Sequence, residues 1–455
     1  MKFVDRKEDI SRIERVISYS ESTLTIIYGR RRIGKSRLIK EVVGTKGVYF
    51  MADQSESIRQ RELFASVISQ KIPGFDAVIY PDWNTLFESL NHRIEDQMVI
   101  CIDEFPYLVK SSPELPSVLQ RIMDNKHTLN YHLILCGSAQ QLMYGLVMNA
   151  TDPLYGRADE ILKIQPIPLK YMQEVLQCSA VETINEYSIW GGIPRYWELR
   201  LREKDLWHAL ERNVLSSQGI LYEEPIRLFL DEMRDTVHSF TILSLIASGS
   251  HRLTEIAARM EKPATHLSAP LAKLVMLGYI ERELPFGESI KNNKKSLYKI
   301  ADPFINFYFS FVVPYRSFIE IEQTEIVINL VKKQLPVFIS HFWERLCRKS
   351  IPHLEFNATK FKPAFRWWKT SKKNAETEID IVAESLDGKS ILLGECKWSD
   401  KKVNYVELKN KLIAQGNILP FCQGKTIVPV LFLKEKVSST DVTILDPQDI
   451  LNCMD

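Results

Sequence analysis

Tyr28-Gly29-Arg30-Arg31-Arg32-Ile33-Gly34-Lys35-Ser36 decides how the rest of the chain is read. It fits G-x-x-x-x-G-K-[ST] without a mismatch. The apolar run Leu24-Thr25-Ile26-Ile27-Tyr28 before it predicts a buried strand, and Ser36 to Val43 after it carries helical periodicity. A strand that turns through glycines into a helix N-terminus offers successive backbone N–H groups to an anion, and the helix dipole favours its charge. Gly29, Arg30, Arg31, Arg32, Ile33, Gly34, Lys35, Ser36 and Arg37 are therefore the expected nucleotide-binding residues. Lys35 is expected to reach the β- and γ-phosphates, and the Ser36 hydroxyl to sit on Mg²⁺.

Further apolar runs read as strands of the same sheet: Gly47-Val48-Tyr49-Phe50-Met51, Met98-Val99-Ile100-Cys101-Ile102 and His132-Leu133-Ile134-Leu135-Cys136. The second ends in Asp103-Glu104. Asp103 would hold the Mg²⁺ hydration shell, and Glu104 would polarise the attacking water as a general base. The third ends in Gly137-Ser138, where Ser138 would sense the γ-phosphate or the water. Arg157, in Pro153-Leu154-Tyr155-Gly156-Arg157, is a candidate for neutralising charge on the transferring phosphate, in cis or across a subunit contact. Alternation of strands and helices predicts a doubly wound α/β domain over residues 1–165, with its ligand at the carboxyl ends of the strands.

At 455 residues the chain should hold roughly three domains. A 45% hydrophobic and 25% charged composition is that of a globular protein with ample core. The net charge of +2 is too small to argue for nucleic acid, so any basic surface must be local. Seven cysteines include no C-x-x-C pair, and several sit in apolar strands. No apolar stretch approaches a membrane span. A reducing cytoplasm is the expected setting.

Residues 166–230 read as helices rich in aromatics, broken at Trp190-Gly191-Gly192-Ile193-Pro194-Arg195-Tyr196, a place for a lid over the nucleotide. Together, the loop with its arginine run, Asp103-Glu104, Gly137-Ser138, Leu154-Tyr155-Gly156-Arg157 and Gly191-Gly192-Ile193-Pro194 resemble the archaeal-type ATPases. These belong to the AAA+/STAND branch of P-loop NTPases. The resemblance covers roughly residues 1–230, and it implies a helical lid and ATP as the substrate.

Over residues 231–303, Ile242 to Ala247, Leu253 to Met260 and Ala264 to Leu274 suggest three short helices, followed by Leu277-Gly278-Tyr279-Ile280. Phe286 to Lys299, with Lys291, Lys294, Lys295 and Lys299, would form a wing. This pattern looks like a winged helix-turn-helix, with Ala264–Leu274 in the recognition position and DNA as the expected partner. Pro270 inside that helix removes a backbone donor. Residues 304–335 read as a helical linker.

Residues 336–455 hold a second constellation. Phe342-Trp343-Glu344 sits on a predicted helix, Glu378-Ile379-Asp380-Ile381-Val382 on one strand, and Ile391 to Trp398 on another. Glu395 and Lys397 share a face, because strand side chains repeat every second residue. Asp380 and Glu395 would hold a metal, and Lys397 would orient water or stabilise developing charge, a set suited to phosphodiester hydrolysis. This segment resembles the PD-(D/E)xK restriction-endonuclease-like domain fused to archaeal-type ATPases, with Glu344 matching a helix carboxylate of some members and Ile379 standing where the signature has proline. Lys360, Lys362, Arg366, Lys369, Lys372 and Lys373, interleaved with Phe361, Phe365, Trp367 and Trp368, crowd the approach to Asp380, as suits a nucleic-acid backbone.

The expectation is an α/β protein with a P-loop NTPase core, helical lid, winged helix-turn-helix and α/β nuclease-like C-terminal domain. It would use ATP and Mg²⁺ to control DNA binding and DNA cleavage, alone, as a homo-oligomer or with a partner protein. The alternative is a STAND-type ATP-dependent switch whose C-terminal domain cuts nothing.

Overall fold

The computed structural model describes residues 4–148, 150–233, 235–289, 295–369, 377–437, 439 and 441–454. Five strands form the first sheet: β1 (Leu24–Tyr28), β2 (Gly47–Met51), β3 (Met98–Asp103), β4 (Tyr131–Gly137) and β5 (Glu160–Lys163). All pair in parallel, in the order β2-β3-β4-β1-β5. Every residue of β1 and β4 is buried, as expected where helices cover both faces of a parallel sheet. Strand β4 lies between β1 and β3, so the turn after β4 falls between the phosphate loop and Asp103-Glu104.

The chain leaves β5 through Pro166 and Pro168 into five helices: Leu169–Leu176, Ala180–Trp190, Pro194–Arg200, Leu206–Asn213 and Glu224–Glu232. Ser179 and Glu182 cap the second of these reciprocally, which fixes where it starts. Its exit is fixed at Gly192, whose carbonyl accepts from the Ile167 N–H at 2.8 Å. A Cβ on Gly192 would stand 2.2 Å from the Ile167 carbonyl oxygen, so the lid meets the core backbone to backbone.

Helices Thr236–Ala247, Leu253–Arg259 and Ala264–Met276 follow, and then the antiparallel hairpin β6 (Ile280–Glu283) and β7 (Leu297–Ile300). Lys291 and Lys294 of the expected wing lie outside the described residues. Phe286, just beyond β6, packs its ring on Phe365 and Phe421, so this hairpin is seated on the C-terminal domain.

The expected boundary at 335/336 falls inside one continuous helix, Thr324–Ser350. Pro336 is accommodated there because the buried face runs through it: Val327, Val331, Leu335, Ile339, Trp343 and Leu346 keep the helical spacing on either side. After the small hairpin β8 (Glu355–Phe356) and β9 (Thr359–Lys360), a second sheet takes the order β10-β11-β12-β13-β14. Its strands are β10 (Phe365–Lys369), β11 (Thr377–Glu384), β12 (Ser390–Lys397), β13 (Thr426–Leu433) and β14 (Thr443–Leu445). The first three are antiparallel, whereas β12, β13 and β14 are parallel, with helix Tyr405–Ile418 crossing between β12 and β13. The long helix packs on β11 and β12, where the Trp343 and Trp398 rings lie 5.3 Å apart.

The lid junction makes a sharp comparison. Gly192→Ala is expected to cost about 1–3 kcal/mol through overpacking, whereas Gly145→Ala, in helix Gln140–Met148 with nothing within 4 Å of an added methyl, should be neutral or stabilise by about 0.5–1 kcal/mol. Urea unfolding of both variants measures the difference.

Candidate nucleotide site and a second carboxylate site

The ends of β1, β4 and β3 bring Lys35, Ser138 and Glu104 into one line. The Lys35 ammonium donates to the Gly29 and Arg30 carbonyls at 2.9 and 3.2 Å and to Ser138 Oγ at 3.3 Å. Ser138 Oγ in turn donates to Glu104 Oε1 at 2.7 Å. Glu104 adopts left-handed backbone, φ 52°, at the start of helix Phe105–Ser111. That conformation costs a non-glycine residue about 1–2 kcal/mol and turns the carboxylate out of the strand direction toward Ser138.

Asp103 is the buried carboxylate of the site. Burial alone would raise its pKa, but hydrogen bonds from Ser36, Tyr49, Cys136 and the Glu104 backbone N–H hold it below the usual carboxylate value. The Tyr49 hydroxyl donates at 2.5 Å and the Glu104 N–H at 2.8 Å. Asp103 is therefore an anion with the Ser36 hydroxyl already on it, the donor pair that a hydrated Mg²⁺ would meet. A cleft of about 360 Å³ opens over this arrangement, lined by Arg31, Arg32, Ile33, Gly34, Lys35, Ser36, Arg37, Glu104 and Ser138 from the core, and by Pro194, Arg195 and Glu198 from the lid. Its cations and helix N-terminus suit a polyphosphate.

Two expected residues stand elsewhere. The Arg30 side chain turns away from the cleft and is buried between the Tyr196 and Tyr279 rings. It pairs with Asp302 and donates to Tyr196 Oη at 3.0 Å. Aromatic faces and a carboxylate outside the cleft claim its charge, so its contribution to the loop is its backbone. Arg157 makes a two-pronged pair with Asp124, at 2.7 and 3.2 Å, and is not among the residues that line this cleft. Arg32 lines the cleft yet also pairs with Glu224 Oε2 at 2.6 Å.

Tyr49 and Arg195 were not among the expected site residues. A tyrosine within an otherwise apolar edge strand and an arginine just after a helix-opening proline were the available signals. Only the register of β2 on β3, which places Tyr49 beside Cys101, brings the first to Asp103.

In the C-terminal sheet, Asp380 and Glu395 lie opposite one another, one step beyond the Ile381–Gly394 pair of β11 and β12. Asp380 Oδ2 accepts from the Cys396 N–H at 2.9 Å. Burial first, and then the charges of Glu344 and Glu395, push the Asp380 pKa well above the ordinary carboxylate value. Lys397 Nζ donates to Glu395 Oε1 at 2.7 Å, and Lys411 Nζ stands 3.6 Å from the same oxygen. Among the described residues no three histidine, cysteine or carboxylate side chains form a ready metal cage. Two crowded carboxylates on adjacent strands, one of them resisting ionisation, nevertheless form a donor pair of the kind that Mg²⁺ takes together with water.

The basic approach is less open than its composition suggests. Lys362 pairs with Glu384 at 2.5 Å, Arg366 with Glu378, and Phe361 is buried. In the hairpin, Lys299 pairs with Glu283 at 3.0 Å and Lys295 with Glu288. Lys372 and Lys373 lie outside the described residues. No helix among the described residues is long and apolar enough to cross a membrane.

A parallel five-stranded sheet with Lys35, Asp103 and Glu104 at its carboxyl edge defines a P-loop ATPase. Residues 3–199 match the family described as an ATPase domain predominantly from Archaea, and residues 308–410 match one described as Archaea bacterial proteins of unknown function. The uncharacterized protein MJECL04 of Methanocaldococcus jannaschii is 31% identical over 406 residues, covering 88% of this chain and 88% of that protein. The uncharacterized ATP-binding protein MJ0423 of the same organism is 44% identical over 46 residues, 10% of this chain and 78% of that one. The Walker-type ATPase paby2304 of Pyrococcus abyssi shares the fold, with a TM-score of 0.54 at 21% identity over 68% of this chain and 96% of that one. The chain belongs to the family of MJECL04 and carries the archaeal ATPase domain.

Because the folded pKa of Asp103 is depressed, its contribution to stability is full above the unfolded carboxylate pKa and is lost as pH falls through the folded value. Tyr49→Phe removes one donor to that anion and should cost about 1.5–3 kcal/mol at neutral pH. The gap to the wild type should close as Asp103 protonates, which urea unfolding across a pH series would detect. A gap that stays constant into acid would contradict the Tyr49–Asp103 assignment.

Proposed function

We propose that this ATPase uses its nucleotide state to control a DNA-engaging, metal-dependent nuclease module at its C-terminal end. The observation that carries the ATPase half is the Lys35–Ser138–Glu104 line beside an ionised Asp103. Lys35 and the loop N–H groups would hold the phosphates, Glu104 would take the proton of the attacking water, and Ser138 would set the orientation of Glu104. Ser36 and Asp103 would hold Mg²⁺, which would supply charge neutralisation between the phosphates. Arg195 reaches the cleft from the lid and would report closure. Arg157 would act in the site of a neighbouring copy in a homo-oligomer. Glu104→Gln should lower steady-state turnover by about 10²–10⁴-fold, and Lys35→Ala should abolish it. Wild-type rates in both would defeat the assignment.

For the second half, Asp380 and Glu395 would hold a divalent cation whose role is to polarise a phosphodiester. Lys397, seated on Glu395, would stabilise charge developing on the phosphate. The exposed lysines Lys360 and Lys369 would meet the backbone of DNA. Mg²⁺- or Mn²⁺-dependent cleavage of DNA should disappear in Asp380→Ala with ATP turnover intact; cleavage that persists rules the site out. A reducing cytoplasm suits the seven free cysteines, five of them buried.

A second reading is favoured by the Arg30–Asp302 and Arg32–Glu224 pairs, which tie the phosphate loop to the helical units. In that reading the protein is a STAND-type switch: nucleotide exchange rearranges its domains and nothing is cut. Slow, single-turnover hydrolysis with no metal bound at Asp380 and Glu395 would distinguish it.

A further inference from the structure

We propose that Glu283, on hairpin strand β6, is a positioning residue for Asp380 and acts through Arg348. This rests on the reading of Asp380 and Glu395 as a metal site. Three cations converge on the Glu283 carboxylate: Lys299 at 3.0 Å, Arg348 at 3.1 Å and Arg366 at 3.8 Å. Arg348 lies on the long helix with only 9% of its surface exposed, and it divides its guanidinium. One nitrogen meets Glu283, and the other donates to the backbone carbonyl of Asp380 at 3.1 Å. Arg366, on β10, likewise joins Glu283 to strand β11, since it pairs both with Glu283 and with Glu378, two residues before Asp380.

Strand β11 is thus pinned at residues 378 and 380 by two guanidiniums that share one carboxylate. That carboxylate belongs to a different structural unit. The seat is rigid, because the Phe286 N–H donates to the Arg366 carbonyl at 2.9 Å and the Phe286 ring packs on Phe365 and Phe421. Pinning matters at Asp380 more than elsewhere. Glu344 and Glu395 repel its carboxylate, and the Cys396 N–H is its one direct hydrogen-bond donor among the described residues. A backbone free to drift would relax by moving Asp380 away from Glu395, which would open the distance that a shared cation must bridge. Partners of this kind, one shell removed from the ligands, govern metal affinity.

The test uses the full chain and Mn²⁺ as the probe, with binding followed by electron paramagnetic resonance and DNA cleavage by gel. Glu283→Gln is expected to weaken Mn²⁺ binding by about 10–100-fold and to lower cleavage through kcat, while ATP turnover stays at the wild-type rate. Glu283→Asp should recover part of the affinity. Lys299→Gln, which removes a neighbour of Glu283 that does not touch Asp380, should leave Mn²⁺ affinity unchanged. Should Glu283→Gln fail to fold, Arg348→Lys carries the test, because a lysine keeps the charge but cannot reach Glu283 and the Asp380 carbonyl together. Wild-type Mn²⁺ binding that is lost in Asp380→Ala but untouched in Glu283→Gln or Arg348→Lys overturns this proposal alone. A wild type that binds no Mn²⁺ overturns the metal reading and this proposal with it.

Discussion

Everything at the nucleotide site depends on the placement of β4 between β1 and β3. A parallel sheet delivers the carboxyl ends of its strands to one edge, and the strand spacing sets how far apart their side chains fall. With a strand interposed, Lys35 and Glu104 are too far apart to pair directly, and a small hydroxyl residue at the end of β4 fills the gap. Ser138 does so, donating to one and accepting from the other. A salt bridge between Lys35 and Glu104 would spend both charges on each other; the hydroxyl keeps both available to a ligand.

The surrounding electrostatics follow a consistent rule: carboxylates near this edge are either held as anions by donors or used to steer arginines. Asp103 is of the first kind and Glu224 and Asp302 are of the second. The arginine run Arg30-Arg31-Arg32 is therefore divided. Arg30 faces the helical units and Arg32 faces both the cleft and Glu224, so charge that enters the cleft acts on groups that also hold the lid and the Asp302 turn.

The phosphate loop, the strand ends at Asp103, Glu104 and Ser138, and the Asp380–Glu395–Lys397 pattern were legible because each is a local signature: a few residues at fixed spacing on an element whose type is set by its own periodicity. What was hidden depends on distant pairing. Tyr49 reaches Asp103 only through the β2–β3 register, and Arg195 reaches the cleft only because Gly192 lets the lid meet Ile167 closely. The place of Arg30 in the motif predicts a cleft residue, but rings more than a hundred residues away take its side chain instead. The expected boundary at 335/336 is crossed by one helix, because a continuous apolar stripe outweighs the single donor lost at Pro336. Lysine-rich stretches suggest a surface for a nucleic-acid backbone, but the carboxylates that pair with Lys299 and Lys362 come from other strands and leave no mark in the local sequence.

Helix Thr324–Ser350 reaches from the helical units to the second sheet: it contacts helices Ala180–Trp190 and Leu206–Asn213 as well as β11 and β12. With 27 residues it is about 40 Å long. Over a rod of that length, a tilt of about five degrees would displace one end by roughly 3.5 Å relative to the other, by the same 1.5 Å rise per residue. That displacement exceeds a hydrogen bond's length, so the contacts of Arg348 with Glu283 and with the Asp380 carbonyl require the helix to keep its angle to the sheet it packs on.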